Sequence, residues 1–230
     1  MKKILLFVAM MILPISVYAT TFDLKDTDMH ITIDEEFWYV FTPDNIKNNP
    51  ELEELGISYD YMVETFEENE AYLDAALFFA DSDDYIEIFV NKKEVQDVKN
   101  MTNYSEEDWN LFGEAIAEEE NTDYDIYQTD YPFIHLEYQD QGFYLAKYYT
   151  IVNGYGYTIT AQKPYEFTNE DALRVQEIVD SITFDVDETL KEPSSFDWKR
   201  VFQYAVIGAL AAAIISALFT LIRKNKKNED

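Results

Sequence analysis

The spacing of apolar residues changes along this chain, and the changes predict where strands and helices alternate. Apolar residues at every second position indicate a strand, whereas apolar residues three and four apart indicate a helix. Strands are predicted for 72–79, 85–90, 125–128, 133–138, 143–152 and 155–162, with two short strands within 30–41 and a last one at 182–186.

The predicted helices begin at recognisable capping residues. Ser105 precedes Asp108 by three residues, and Thr168 precedes Asp171 in the same way, which is the spacing of a capping pair. The acidic end of the first of these helices opposes the helix dipole, so we expect its last turn to fray. The predicted helices are two short pieces starting at Thr42 and Asn49, an amphipathic helix over 59–66, a helix over 105–120 and a helix over 168–182.

Turn residues connect neighbouring strands directly. Asn153-Gly154 is the strongest hairpin signal in the chain, and the acidic run 81–84 separates two further strands. Hairpins between successive strands imply antiparallel pairing. The sequence therefore predicts an α+β fold, a mainly antiparallel sheet sandwiched by helices, with one C-terminal transmembrane helix.

The predicted transmembrane helix runs from Val201 to Ile222, 22 residues without a charged side chain. At about 1.5 Å per residue it would span the hydrocarbon core of a bilayer. Four basic residues within the tail 223–230 predict that this tail is cytoplasmic and that the preceding chain is outside. Small residues spaced four apart, such as Gly208 and Ala212, would permit self-association or partner docking through the membrane helix.

The other end of the chain predicts export. Residues 1–19 combine Lys2 and Lys3, an apolar run and a small residue at Ala19, as in a removable signal peptide. The expected organisation is then a signal peptide over 1–19, an extracytoplasmic domain over 20–186, a juxtamembrane linker over 187–200, the membrane helix and the tail. The protein is expected at the cell membrane as a single-pass protein.

The charge of the exported part restricts its partners. Residues 20–198 hold 44 of the 46 acidic residues but only 9 lysines and arginines, a formal charge of −35. Such a surface repels phosphate backbones, so nucleic-acid binding is excluded, while solubility or a basic partner would explain the acidity. The chain has no cysteine, which removes disulfides and thiol chemistry.

The end of the domain resembles the PsbP and Mog1-like superfamily. The resemblance rests on the strand 148–152 (YYTIV), the Asn153-Gly154 turn, the strand 157–160 (YTIT), a capped helix and the segment 178–184 (IVDSITF); the opening 31–33 and 37–40 resembles the first hairpin of that family. The resemblance covers most of residues 28–186. It implies an antiparallel sheet between helical layers and a binding or accessory role, without any carried-over site residue.

Candidate chemistry is sparse. His30 and His135 are the only imidazoles, and no nucleophile elbow, zinc-protease or phosphate-loop motif occurs. Alternation places His135 on the face of Phe133 and Glu137, where a structural role is expected. Paired carboxylates suit glycoside hydrolysis, but among so many acids no spacing distinguishes a pair. We therefore assign no catalytic, cofactor-binding or metal-binding residue and no cofactor.

Two acidic segments could hold a cation. Calcium prefers several carboxylate oxygens, and Asp81, Asp83, Asp84 and Glu87 lie close in sequence, although Ile86 stands where a calcium loop has glycine. The segment containing Asn121, Asp123 and Asp125 gives a weaker signal of the same kind.

These observations predict a membrane-anchored extracytoplasmic binding or accessory protein that is not an enzyme. A surface hydrolase acting on an extracellular polymer through carboxylates is the alternative, and a cation-responsive module is a third possibility.

Overall fold

A computed structural model of the 230-residue chain describes residues 19–80, 82–95 and 98–190. The strands are β1 (Ala19–Asp23), β2 (Met29–Asp34), β3 (Tyr39–Phe41), β4 (Ala71–Phe78), β5 (Tyr85–Glu94), β6 (Asp125–Tyr127), β7 (Phe133–Asp140), β8 (Phe143–Val152), β9 (Tyr155–Lys163) and β10 (Thr183–Phe184). The helices are α1 (Pro50–Leu55), α2 (Tyr59–Glu68), α3 (Glu106–Glu120) and α4 (Asn169–Asp180), with a 3₁₀ turn at Met101–Asn103.

Seven of the strands form one antiparallel sheet in the order β3-β4-β5-β9-β8-β7-β6. Its centre is built by the predicted hairpins, including the turn at Asn153 and Gly154, whose φ angles are 54° and 81°. Two successive positive φ angles give the turn twist that antiparallel strands favour. The predicted α+β class with antiparallel strands is confirmed.

The first predicted hairpin is wrong. β2 and β3 do not pair with each other, because β2 lies between β1 and β10 in a separate three-stranded antiparallel sheet, whereas β3 pairs with β4. The chain turns between them at Asp34, whose carbonyl accepts the backbone N–H groups of Phe37 and Trp38. Phe37 is consequently 57% exposed, whereas Trp38 is buried.

The two faces of the seven-stranded sheet are covered differently. One face packs against the three-stranded sheet and α4 around a core that includes Ile88, Ile159 and Val179. The opposite face carries two apolar clusters, one beneath α1 and α2 around Phe89 and one beneath α3 around Tyr149. Helices alone therefore do not sandwich the sheet, since a second sheet completes one of the layers.

The helix starts follow the predicted caps. Ser105 with Asp108 and Thr168 with Asp171 form reciprocal capping boxes, and Asn49 caps α1. The predicted helical piece at Thr42 is wrong. A turn replaces it, because the Asn45 side chain accepts the Thr42 backbone N–H at 2.7 Å and donates to the Val40 carbonyl at 2.9 Å.

The last turn of α3, where fraying is predicted, is helical in the structure. The helix continues to Glu120, and Asn121 ends it in the left-handed conformation with φ 51°. Lys147 Nζ lies 3.1 Å from Glu120 Oε1, so a buried cation offsets the unfavourable charge at this helix end.

The predicted signal peptide and membrane helix lie outside the described residues, apart from Ala19 at the start of β1. Within 19–80, 82–95 and 98–190, every helix is too short or too polar to cross a bilayer.

Candidate functional site

A groove of about 740 Å³ lies beside the first residues of β4, where α2, β5 and the start of β9 meet. Its volume falls in the range of ligand-binding clefts. β3 pairs only with Asp74–Ala76, so the earlier residues of β4 have no neighbouring strand on that side. The lining of the groove includes Tyr59, Val63, Tyr72, Lys92, Lys93 and Tyr155.

The wall formed by α2 is apolar and aromatic. Ser58 caps this helix by accepting the Tyr61 backbone N–H, which fixes where the first turn begins. Tyr59 then stands at the groove 46% exposed, with Val63 one turn further along. An exposed tyrosine beside a groove offers both contact area and a hydrogen-bonding hydroxyl.

The opposite wall contains two adjacent lysines with different surroundings. Lys92 Nζ donates to the Asp26 carbonyl at 2.7 Å and lies 3.8 Å from the centre of the Tyr155 ring. Burial lowers the pKa of Lys92, and the nearby carboxylates of Asp28 and Asp26 oppose that effect.

Lys93 points to the other face of β5 and stands opposite Gly156, which has no side chain to cover it. Lys93 is therefore the cation that this groove offers to a ligand. The groove also contains four carboxylates, those of Asp26, Glu67, Glu70 and Glu94, so its lining is acidic overall.

Beneath α2 the sheet carries a pair of fully buried acids. Asp74 on β4 is 1% exposed and Glu87 on β5 is 0% exposed. The β4–β5 register places Asp74 opposite Phe89, two residues from Glu87, so the two acids are diagonal neighbours on one face. Phe41 flanks Asp74 on its other side through the β3–β4 register.

The pair has few hydrogen-bond partners. Gln162 Nε2 donates to Glu87 Oε2 at 2.9 Å. Both carboxyl oxygens of Asp74 and Oε1 of Glu87 have none among the described residues, and the same holds for the nearby Thr160 Oγ1. A buried carboxylate without a cation is costly, so such groups take up protons instead.

The pKa shifts agree with this environment. Burial raises the pKa of Asp74 to about 8. Burial followed by the charge of Asp74 raises the pKa of Glu87 well above its ordinary value, against the opposing hydrogen bond from Gln162. Burial raises the pKa of Tyr61 on α2, a hydrogen bond with Thr65 opposes this, and Glu87 and Asp74 add to the rise.

His135 and Phe133 both contact the ring of Tyr148, so the two residues share one face of the sheet. The ring of His135 stacks on Tyr148 with centres 4.5 Å apart, and Nδ1 lies 2.8 Å from Asp125 Oδ1. Nε2 is 3.5 Å from Glu137 Oε1, too far for a good hydrogen bond. His30 sits in the small sheet and bridges Asp23 and Asp185.

The acidic loop proposed for a cation is not brought together. Asp84 binds Lys163 at 3.0 Å, whereas Glu87 binds Gln162, and adjacent residues of β9 point to opposite faces of the sheet. Asp81 lies outside the described residues. In the part of the chain that the structure describes, no three histidine, aspartate or glutamate side chains are arranged to hold a metal ion. Asp123 and Asp125 therefore form no such group.

The sequence pattern missed both the groove and the acid pair. Asp74 stands between Leu73 and Ala75, and Glu87 between Ile86 and Ile88, so strict alternation makes each look solvent-facing. The available signal was the length of the apolar runs around them, because a strand buried on both faces lacks clean alternation.

Comparison with known proteins adds no further constraint. No model of a known protein family matches this chain, and no curated protein sequence matches it significantly. The resemblance to the PsbP and Mog1-like superfamily therefore stays a prediction.

Proposed function

We propose that this chain is an exported binding or accessory protein without enzymatic activity, held at the membrane by the helix predicted for 201–222. Its domain faces outward and its tail inward in this proposal. The groove between α2 and the ends of β5 and β9 is the proposed recognition site, and its shape and lining are the observation that carries the proposal.

The partner that best fits the groove is a protein segment with basic and apolar side chains. Glu67, Glu70 and Glu94 are exposed and lie in the groove, where they favour lysine or arginine. Tyr59 and Val63 offer apolar contact, and Lys93 supplies a donor for a carbonyl or carboxylate of the partner. The formal charge of −35 over 20–198 adds long-range attraction for a basic protein.

The hydrolase alternative receives less support. Glycoside hydrolysis requires two carboxyl groups that both reach the substrate. Asp74 and Glu87 are adjacent and have separated environments, but with exposures of 1% and 0% they are closed off from any polymer.

Site-specific crosslinking in native membranes tests the recognition site. A photo-reactive phenylalanine in place of Tyr59 should capture a consistent neighbour, identified by mass spectrometry. The same group in place of Tyr165, a tyrosine that is 57% exposed and outside the groove, is the matched control. Equal capture of the same proteins at both positions would reject the groove as the site.

Charge reversal tests the chemistry of the partner. Glu67→Lys with Glu70→Lys should reduce capture at Tyr59 by tenfold or more, since close charge pairs contribute on the order of 1.5 kcal/mol or more. Glu118→Lys with Glu119→Lys makes the same charge change on exposed positions of α3 and should leave capture unchanged.

A wash of the membranes in alkaline carbonate tests the proposed membrane anchor. A partner that washes off together with the chain would contradict that anchor.

A further inference from the structure

The helix that forms one wall of the groove also covers the buried acids. Tyr59, Val63 and Phe66 of α2 line the groove. Phe66 also packs in one cluster with Phe89, the residue opposite Asp74 in the sheet. One short helix therefore connects the recognition site to a pair of carboxyl groups that have no cation.

Among the residues that the structure describes, the neighbouring elements place no cation against the pair. Tyr61 is the titratable group of α2 whose pKa both acids raise, and Gln162 is the hydrogen-bond partner from β9. Tyr39 of β3 directs its hydroxyl to Glu54 at 3.4 Å. On β8, two strands from Glu87, Lys147 binds Glu120 at 3.1 Å.

We propose that Asp74 and Glu87 hold protons beneath α2, and that loss of these protons as the pH rises releases this helix and opens the groove wall. The inference rests on the proposed function for its link to partner binding, but the release of α2 can be measured independently. Ionised carboxylates need water, and lifting α2 is the local movement that would admit water to them.

The direction of the effect follows from proton linkage. The raised pKa of Asp74, about 8 against an ordinary 3.8, means that the closed state binds more protons than the open state between those values. The closed state is therefore favoured at low pH and loses stability as the pH rises towards about 8. Each carboxyl that ionises on opening increases the open fraction about tenfold per pH unit.

Hydrogen exchange of the full-length chain in detergent tests the release. After correction for the intrinsic exchange rate, the amides of α2 should show an open fraction that rises about tenfold or more per pH unit between about pH 6 and pH 8. The amides of α4, which packs on the other face of the sheet, should show no such rise. A flat response in α2 would overturn the proposal.

Neutral variants of the acids separate protonation from general instability. Asp74→Asn with Glu87→Gln should remove the pH dependence of α2, whereas Glu64→Gln, on the exposed side of α2, should keep it. If the double variant does not fold, each single variant should show a reduced slope. Equal slopes in wild type and variants would overturn the proposal. Protection of α2 by calcium chloride at about pH 8, seen only when both acids are present, would also overturn it, because the pair would then hold a cation rather than protons.

Crosslinking from position 59 at about pH 6 and at about pH 8 tests the link between the acid pair and the groove. Capture should fall as the pH rises in wild type and stay constant in the double variant. A pH-dependent α2 with constant capture in wild type would overturn the link while leaving the proton-holding pair in place. Absence of any captured partner at either pH would reject the proposed function, and the exchange measurement would still decide on the acids.

Discussion

Lys163 Nζ lies 2.6 Å from Asp171 Oδ2, so the last residue of β9 is tied to the first turn of α4. Lys163 is 1% exposed, and its ammonium also lies 3.0 Å from Asp84 Oδ2. The bridging oxygen of Asp171 accepts the backbone N–H of Thr168 at 2.9 Å as well. One carboxylate thus caps the helix and neutralises a buried cation.

Replacing this lysine should destabilise the domain strongly. Lys163→Met leaves Asp171 and Asp84 without their cation, and breaking a buried ion pair by removing one partner costs about 3–5 kcal/mol. Urea denaturation of the full-length chain in detergent measures the free energy of unfolding. Arg174→Ala removes the pair with the exposed Glu170 on the same helix and a cation–π contact with Phe79 at 5.8 Å, and should cost about 1 kcal/mol. Similar losses in both variants would contradict the role of burial.

The His30 bridge should make the small sheet more stable at acidic pH. The hydrogen bond to Asp23 raises the pKa of His30, burial opposes this, and Asp185 adds to the rise. A raised pKa means that the full stabilisation is present below about pH 6.5 and is lost as the pH rises through the folded-state value. His30→Ala should therefore lower stability at pH 5.5 by less than about 1 kcal/mol, because the carboxylate partners are exposed.

Thermal unfolding at about pH 5.5 and about pH 8 checks this expectation. The difference between wild type and His30→Ala should be larger at the lower pH. Asp23→Asn with Asp185→Asn should reduce the pKa of His30, measured by NMR titration. A loss of stability that is the same at both pH values would indicate packing rather than charge.

Local chemistry explains why the helices and hairpins could be predicted from the sequence. A capping box such as Ser105 with Asp108 satisfies backbone donors within four residues, and the Asn153-Gly154 turn depends only on two backbone angles. These structures form from neighbours in the chain, so the pattern of neighbours reveals them.

Long-range pairing explains what the sequence could not reveal. The partners of β2 are β1 and β10, and Thr183 of β10 pairs with His30 across most of the chain. Nothing local to 29–41 distinguishes this arrangement from a hairpin. The acids beneath α2 were missed for the same reason, because the burial of Asp74 depends on Phe41, on Phe89 and on a helix that precedes β4.

Gly113 in α3 is required by the ring of Tyr124. A Cβ atom at this position would overlap ring carbons Cδ2 and Cε2, although alanine is otherwise favoured over glycine in a helix by about 1 kcal/mol. Gly113→Ala should therefore destabilise the domain, since overpacking a core costs about 1–3 kcal/mol.

A double-mutant cycle measured by urea denaturation tests this contact. In a Tyr124→Ser background the ring is gone, and Gly113→Ala should become neutral or stabilising by up to about 1 kcal/mol. Destabilisation of equal size in both backgrounds would show that the ring of Tyr124 is not the cause.

Alanine substitutions at two hairpin glycines should distinguish the cost of backbone strain from the cost of a side-chain contact. Gly142 has φ 91° and open space where a Cβ would lie, whereas at Gly154, with φ 81°, a Cβ would come within 3.1 Å of Lys99 Nζ. Alanine in the left-handed region costs about 1–2 kcal/mol, which is the expected effect of Gly142→Ala. Gly154→Ala should cost more, because Lys99 must move while its carbonyl accepts the backbone N–H of residue 154 at 2.8 Å.

Truncating the lysine side chain isolates the additional cost. Lys99→Ala keeps the backbone carbonyl but removes the atoms that the new Cβ would meet. In this background, the loss in free energy of unfolding caused by Gly154→Ala should therefore equal the loss caused by Gly142→Ala. Urea denaturation of Gly142→Ala, Gly154→Ala, Lys99→Ala and the double variant Lys99→Ala with Gly154→Ala gives the cost of backbone strain and the cost of the contact with Lys99. If Gly154→Ala costs as much more than Gly142→Ala without the Lys99 side chain as it does with it, the additional cost comes from the backbone of the turn.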